Sequence, residues 1–290
     1  MPQRSLRTGA SVVAAMGVGV VLAACSTAPT PELDLPEQNQ ARWVQPLDQY
    51  TPADTIAADY AENLLMQPCM EKRGFDWNVP WRDVSAGPSE TSSDAGRKLF
   101  TVEIARKYGY RSGPNPDSGI NAWLEFMEQE LSDAKVAAID ECIAEARETL
   151  PLLPGETQLA LDLTSAAFNG ALEDPDVADA ARAWHECMKD SGIPDLPDEP
   201  IGIPSEYMVR TFGLDQQQTA SAEEIRVATL DAACRESSGY AATFYQEEWD
   251  RQVTLLADNA DALERLEEVI AANRVAVYDV ISSHAPRAPG

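Results

Sequence analysis

The chain has few histidines and few positive charges, and both shortages exclude functions. Its 290 residues include only His185 and His284. Nucleophilic triads need a base, most often histidine. His185 lies beside Cys187 on an expected helix, where a structural role is the plainer reading, and His284 falls in an expected frayed tail. The sequence has no phosphate-cradling glycine loop, dinucleotide fingerprint or His-Glu-x-x-His helix. Acidic residues outnumber basic ones 48 to 22, a net charge of -26. Affinity for a polyanion comes largely from Lys and Arg, so no nucleic-acid partner is expected. Convincing strand alternation is missing as well. What is present, 44% apolar, 24% charged and 7% aromatic residues, is the profile of a folded globular chain with about two domains.

The longest apolar run is Gly9 to Ala24, interrupted only by Ser11 and preceded by Arg4 and Arg7. At 16 residues it is short for a membrane span, which needs about 20. It ends in Leu22-Ala23-Ala24-Cys25, which has the form of a bacterial lipobox: small residues before a cysteine whose thiol accepts a diacylglyceryl group. Residues 1–24 are therefore expected to be a lipoprotein signal peptide, with Cys25 as the site of lipid attachment. Loss of Arg4 and Arg7 leaves 20 basic residues against 48 acidic ones, a net charge of -28. Residues 25–46 carry Pro29, Pro31, Pro36 and Pro46 among polar and acidic residues and read as an extended tether.

Export governs the reading of Cys69, Cys142, Cys187 and Cys234, since an even set outside the cytoplasm most often forms disulfides. Spacing alone leaves three connectivities open. The chain, however, repeats itself. Cys69-Met70-Glu71-Lys72-Arg73-Gly74 matches Cys187-Met188-Lys189-Asp190-Ser191-Gly192 in its cysteine, methionine and glycine. Ile104 to Tyr110 parallels Met208 to Leu214, and Val136-Ala137-Ala138-Ile139-Asp140 parallels Val227-Ala228-Thr229-Leu230-Asp231 ahead of a cysteine. Three blocks recurring in order point to a duplication, and hence to pairing of Cys69 with Cys142 and of Cys187 with Cys234. A metal site built from His185, Cys187 and the other thiols is the rival, but tight Cys-x-x-Cys pairs are absent, and no metal or cofactor is expected.

The sequence Trp184-His185-Glu186-Cys187-Met188 and the Val-Ala-x-x-Asp block before a cysteine resemble a group of secreted actinobacterial lipoproteins, over roughly residues 50 to 245. Its members mostly lack an assigned activity. The resemblance implies location and architecture and carries over no catalytic residue. The first copy departs from the pattern. Met66 stands at the tryptophan position, Pro68 precedes Cys69, and Asp140 is one residue too close to Cys142.

Helix signals dominate the rest. Thr51-Pro52 and Asp174-Pro175 read as caps followed by proline at the first helical position, with Gly74 and Gly192 as stops. Ser221-Ala222-Glu223-Glu224 has the form of a capping box. Further helices are expected over 93–108, 119–130, 133–149, 156–172 and 205–212. Residues 241–284 lack glycine and proline and read as one long helix, or a pair broken near Asp258 to Asp261. The expected fold is all-α: residues 47–155 as repeat 1, 156–240 as repeat 2, and 241–290 as a C-terminal helical extension.

No catalytic residue is assigned. Acidic pairs such as Glu247-Glu248 and Glu267-Glu268 read as solvated helix faces. Asp174 to Asp179 lacks the glycine and terminal glutamate of a calcium loop. The most distinctive segment is Phe75-Asp76-Trp77-Asn78-Val79-Pro80-Trp81. Its aromatics Phe75, Trp77 and Trp81 are candidate ligand contacts, while the plainer reading folds them back over the core. The expected function is a lipid-anchored, extracytoplasmic module that binds or organises an envelope component or protein partner. The alternatives are a carboxylate-dependent enzyme acting on envelope glycans, with two acids in a deep cleft, and an accessory subunit of a transport system.

Overall fold

The computed structural model describes residue 33 and residues 35–289, except 51–54, 151, 152, 154, 155, 217 and 218. The expected signal peptide, Cys25 and the Thr51-Pro52 cap lie outside the described residues. The body is all-α, as expected. Its ten described helices are α1 (Thr55–Lys72), α2 (Val102–Tyr108), α3 (Ile120–Met127), α4 (Asp133–Thr149), α5 (Glu156–Leu172), α6 (Pro175–Met188), α7 (Glu206–Phe212), α8 (Ala222–Ser237), α9 (Tyr240–Asp258) and α10 (Ala260–His284). Among the described residues, β-pairing is limited to the isolated bridges Asn39 to Val44 and Ser92 to Lys98.

Local chemistry sets the helix ends. The Asp174 carboxylate accepts from the Asp176 amide, Pro175 occupies the first helical position, and Val177, Ala181, Trp184 and Met188 form the buried stripe of α6. Thr101 caps α2 through the Ile104 amide, so the helix begins there and not at 93 as the sequence suggested. The reason lies in the preceding turn. The Ser93 hydroxyl accepts from the Arg97 amide, Gly96 sits at φ +77°, and the Leu99 amide donates back to the Thr91 carbonyl. The long C-terminal stretch breaks at Asn259, within the expected interval.

Both disulfides join the cysteines paired by the duplication. Cys69 to Cys142 ties α1 to α4, and Cys187 to Cys234 ties α6 to α8. Around the first bridge, Tyr60, Met66, Met70, Trp77, Trp123 and Ala138 form a core that the end of α10 closes with Ile281. Around the second, Trp184, Met188, Met208, Phe212, Val227 and Ala228 form another, joined by Ala105 and Tyr110 from between the first pair of cysteines. Thus α2, although it belongs to the first copy by sequence, packs on α8 of the second. α5 and α6 lie against α9, while α1 packs on α10.

Arrival of α2 on α8 requires Gly109. It adopts φ +62°, and a Cβ at this position would meet Glu224 Oε1 at 2.6 Å. Beyond it, Tyr110 and Arg111 bind the buried Glu224. The Tyr110 amide donates at 3.2 Å and Arg111 Nε at 3.1 Å. Arg111 also donates to the carbonyl of Phe212, the last residue of α7, and to that of Gln216 in the turn beyond it. The Ser221 hydroxyl accepts from the Glu224 amide as a capping box requires, but the Glu224 carboxylate turns to Tyr110 and Arg111, and the reciprocal half of the box is not formed.

Candidate functional site

The aromatic loop after α1 folds onto the first core. Trp77 is buried there, its ring edge-on to Phe126 with centroids 5.0 Å apart, and Lys135 Nζ lies 5.4 Å from the indole centroid. Phe75 packs against the same cluster and is half-buried, as is Trp81. The far end of the loop is fixed by Arg82 and Asp117, a buried ion pair at 2.9 Å, with Arg82 over the Trp123 ring. Burial pushes the Asp117 carboxyl up, but the amides of Asp83 and Gly119 and the Arg82 guanidinium outweigh it and hold the group below the usual carboxylate range. Gly119 is needed at this contact, because a Cβ there would meet the Trp81 carbonyl at 2.4 Å. The surface left for a ligand at this loop is the uncovered part of Phe75 and Trp81, with Trp77 serving as their support.

A second constellation forms where the chain enters the body. The end of the proline-rich stretch lies along α9. Leu47 and Gln45 are fully buried, the Leu47 amide donates to Gln252 Oε1 at 2.9 Å, and the Trp43 indole N–H donates to Glu248 Oε2 at 3.1 Å. The Tyr245 hydroxyl donates to the Val44 carbonyl and accepts from the Asn39 amide. Arg97 bridges two acids, with Nη2 3.4 Å from Asp48 and Nη1 3.2 Å from Glu248. Burial raises the carboxyl pKa of both Glu248 and Asp48, and Arg97 opposes it in each.

Next to this cluster is a cavity of about 210 Å³ lined by Arg97, Thr164, Ser165, Phe168, Asn169 and Glu248. Its volume is below the roughly 300 Å³ at which sites for drug-sized ligands begin. The Thr164 hydroxyl and the Arg97 Nη1 are buried here without an aligned hydrogen-bond partner among the described residues. A polar wall of this kind suits ordered water, with Glu248 as an acid that holds its proton more tightly than an exposed glutamate. No group of three or more potential metal ligands occurs among the described residues.

Glu248 corrects the sequence reading of Glu247-Glu248 as a solvated face. Glu247 is half-buried, whereas Glu248 is fully buried. The signal was present in the spacing. Phe244, Tyr245, Glu248, Trp249, Gln252 and Leu256 follow the i, i+3, i+4 pattern of the buried side of α9, and Glu248 falls on it. Asp48 and Arg97 carry no such signal, since Asp48 meets Arg97 49 positions further on and Arg97 meets Glu248 151 positions beyond that. His185 is half-buried, with Nδ1 3.0 Å from the Pro197 carbonyl, the structural role expected of it. No family model matches the chain, and neither the curated proteins nor the solved structures contain a significant match.

Proposed function

We propose that the protein is a lipid-anchored, extracytoplasmic module of the cell envelope whose role is binding rather than catalysis. The observation that carries the location is the Leu22-Ala23-Ala24-Cys25 sequence at the end of a basic-then-apolar leader. Two intramolecular disulfides support it, because such bonds persist in oxidising compartments. The clamp of Trp43, Gln45 and Leu47 on α9 supports a tethering role for the segment before it, since it gives the tether a defined end in the body. Two acyl chains on Cys25 would suffice for stable attachment, where a single chain holds only marginally.

An alkyne-palmitate label followed through the wild type and Cys25→Ala tests the anchor. Incorporation in the wild type alone, with the protein in the membrane fraction and open to protease on intact cells, is the expected result. An unlabelled wild type with reduced cysteines would overturn the location. Turnover of a cell-wall polymer by the purified protein would overturn the binding role.

A further inference from the structure

The packed sides of α5 and α9 each carry a polar residue that apolar packing alone does not call for. On α5 the buried stripe is Ala160, Ala167 and Ala171, and Thr164 falls on it, at i+4 from Ala160 and i−3 from Ala167. On α9 the fully buried Glu248 stands among Phe244, Tyr245, Trp249 and Leu256. The two helices pack on each other, and both polar residues line the cavity of about 210 Å³ described above.

Glu248 has work to do without a ligand. Its carboxylate accepts from Trp43, Gln45 and Gln252 and pairs with Arg97. Thr164 has none. A helix threonine commonly donates to the carbonyl four residues back, as Thr157 and Thr254 do in this chain. The buried Thr164 hydroxyl makes no hydrogen bond among the described residues, and neither does Arg97 Nη1, which meets Glu248 only as a misaligned ion pair. Buried polar atoms left in this way are uncommon, and two of them line one cavity. At its mouth Ser165 and Asn169, exposed at i and i+4 on α5, also have side chains that bond to nothing among the described residues. Phe168, half-buried and edge-on to Phe244, is the aromatic part of the wall.

Charge narrows the class of ligand. Arg97 already faces Asp48 at 3.4 Å and Glu248 at 3.2 Å. An anion would enter beside two carboxylates and a cation beside the guanidinium, so a neutral ligand is favoured over either. Thr164, Ser165 and Asn169 can each donate and accept, whereas Arg97 only donates. A ligand that meets all four needs several groups that do both, as hydroxyls do, together with an apolar patch against Phe168. The volume is below that of sites for drug-sized molecules and suits a single small ring.

We infer that the cavity between α5 and α9 is a binding site for one neutral, polyhydroxylated ring: a single sugar residue. Its ring lies against Phe168, and its hydroxyls meet Thr164 and Arg97 at the floor and Ser165 and Asn169 at the mouth. The inference names a ligand class for the binding role proposed above and to that extent rests on it, but the cavity is the same whether or not Cys25 is acylated.

The test uses the full chain with both disulfides intact, with methyl β-glucoside, methyl β-galactoside and methyl α-mannoside as probes and saturation-transfer NMR as the readout. At least one glycoside is expected to bind saturably, with a Kd of about 1 mM or tighter. Thr164→Val and Asn169→Leu are each expected to weaken it about two- to tenfold, the value of one hydrogen bond, and Ser165→Trp to abolish it by filling the mouth. Circular dichroism and disulfide mapping show whether the variants are folded. Ser165 and Asn169 are solvent-facing, so their variants keep the test open even where Thr164→Val fails to fold. No saturable binding up to about 50 mM glycoside would overturn the inference. So would binding that Ser165→Trp and Asn169→Leu leave unchanged, or saturable binding of phosphate or acetate in place of every glycoside. Release of methanol from a bound glycoside would support the site and overturn the non-catalytic role, so the two readings fail separately.

Discussion

The indole N–H of Trp184 donates to Asp231 Oδ1 at 2.9 Å, joining two motifs that lie 47 residues apart, each three positions ahead of a cysteine of the same disulfide. Both residues are fully buried, and Asp231 also accepts from Arg235 at 2.7 Å and from the Tyr110 hydroxyl. The first copy, counted back from its cysteines, has Met66 and Ile139 at these positions, both packed in the first core. An apolar pair has taken the place of a hydrogen-bonded one. The short spacing from Asp140 to Cys142 is the sequence trace of that change: it puts isoleucine at the aspartate position.

Replacing Trp184 by phenylalanine removes the donor and part of the packed volume. A loss of about 2 to 4 kcal/mol is expected in urea unfolding, from the broken hydrogen bond to a buried charged acceptor and the space left behind. A loss under about 0.5 kcal/mol would show that Arg235 and Tyr110 alone satisfy Asp231.

Each disulfide closes a long loop, of 73 and 47 residues. Replacing both cysteines of either bridge by serine is expected to cost about 4 kcal/mol on the chain-entropy estimate. A non-reducing peptide map checks the pairing directly, with Cys69 recovered joined to Cys142 and Cys187 joined to Cys234.

The pH dependence follows from Glu248. Burial raises its pKa from the ordinary 4.5, so between 4.5 and the raised value the folded chain holds a proton that the unfolded chain has lost. Stability from this group therefore falls as pH rises through that window. Asp48 acts in the same sense above 3.8. Thermal unfolding of wild type and Glu248→Gln from about pH 4 to pH 8 should show the wild type losing ground to the variant as pH rises. Parallel curves would show that Arg97 cancels the cost of burying the charge.

The clamp on α9 depends on the fully buried Leu47. Leu47→Ala is expected to cost about 2 to 5 kcal/mol. It should also speed amide exchange at residues 39–50 more than at α6 and α8, which the Cys187 to Cys234 bridge holds together. Uniform acceleration across the chain would show that this segment opens only with global unfolding.

The helices were legible because their signals are local. Asp174-Pro175 and Ser221 cap where the sequence places them, and Gly192 takes the left-handed conformation at φ +85° as a stop. The disulfides were legible through the duplication. Two features were not. Residues 93–101 carry helix-compatible composition, but Ser93 and Gly96 close a turn that the Thr101 cap then ends. The cover of α2 on α8 exchanges partners between repeats, and periodicity within either repeat cannot report it. Of the expected capping box only the Ser221 half forms, because the Glu224 carboxylate serves a chain segment 114 residues away. The roles of Phe75, Trp77 and Trp81 were readable as a pair of alternatives, and burial of Trp77 shows how the loop is supported.

The seating of Trp43 and Leu47 on α9 fixes a length. From Cys25 to Asn39, where the first contacts with Tyr245 begin, the chain advances 14 residues. Fully extended, that stretch reaches at most about 50 Å. An acylated Cys25 would thus confine the body to a shallow layer above the lipid surface, within which any partner of the body must itself be found. Lengthening that leash by inserted residues would widen the layer without touching a single contact in the body.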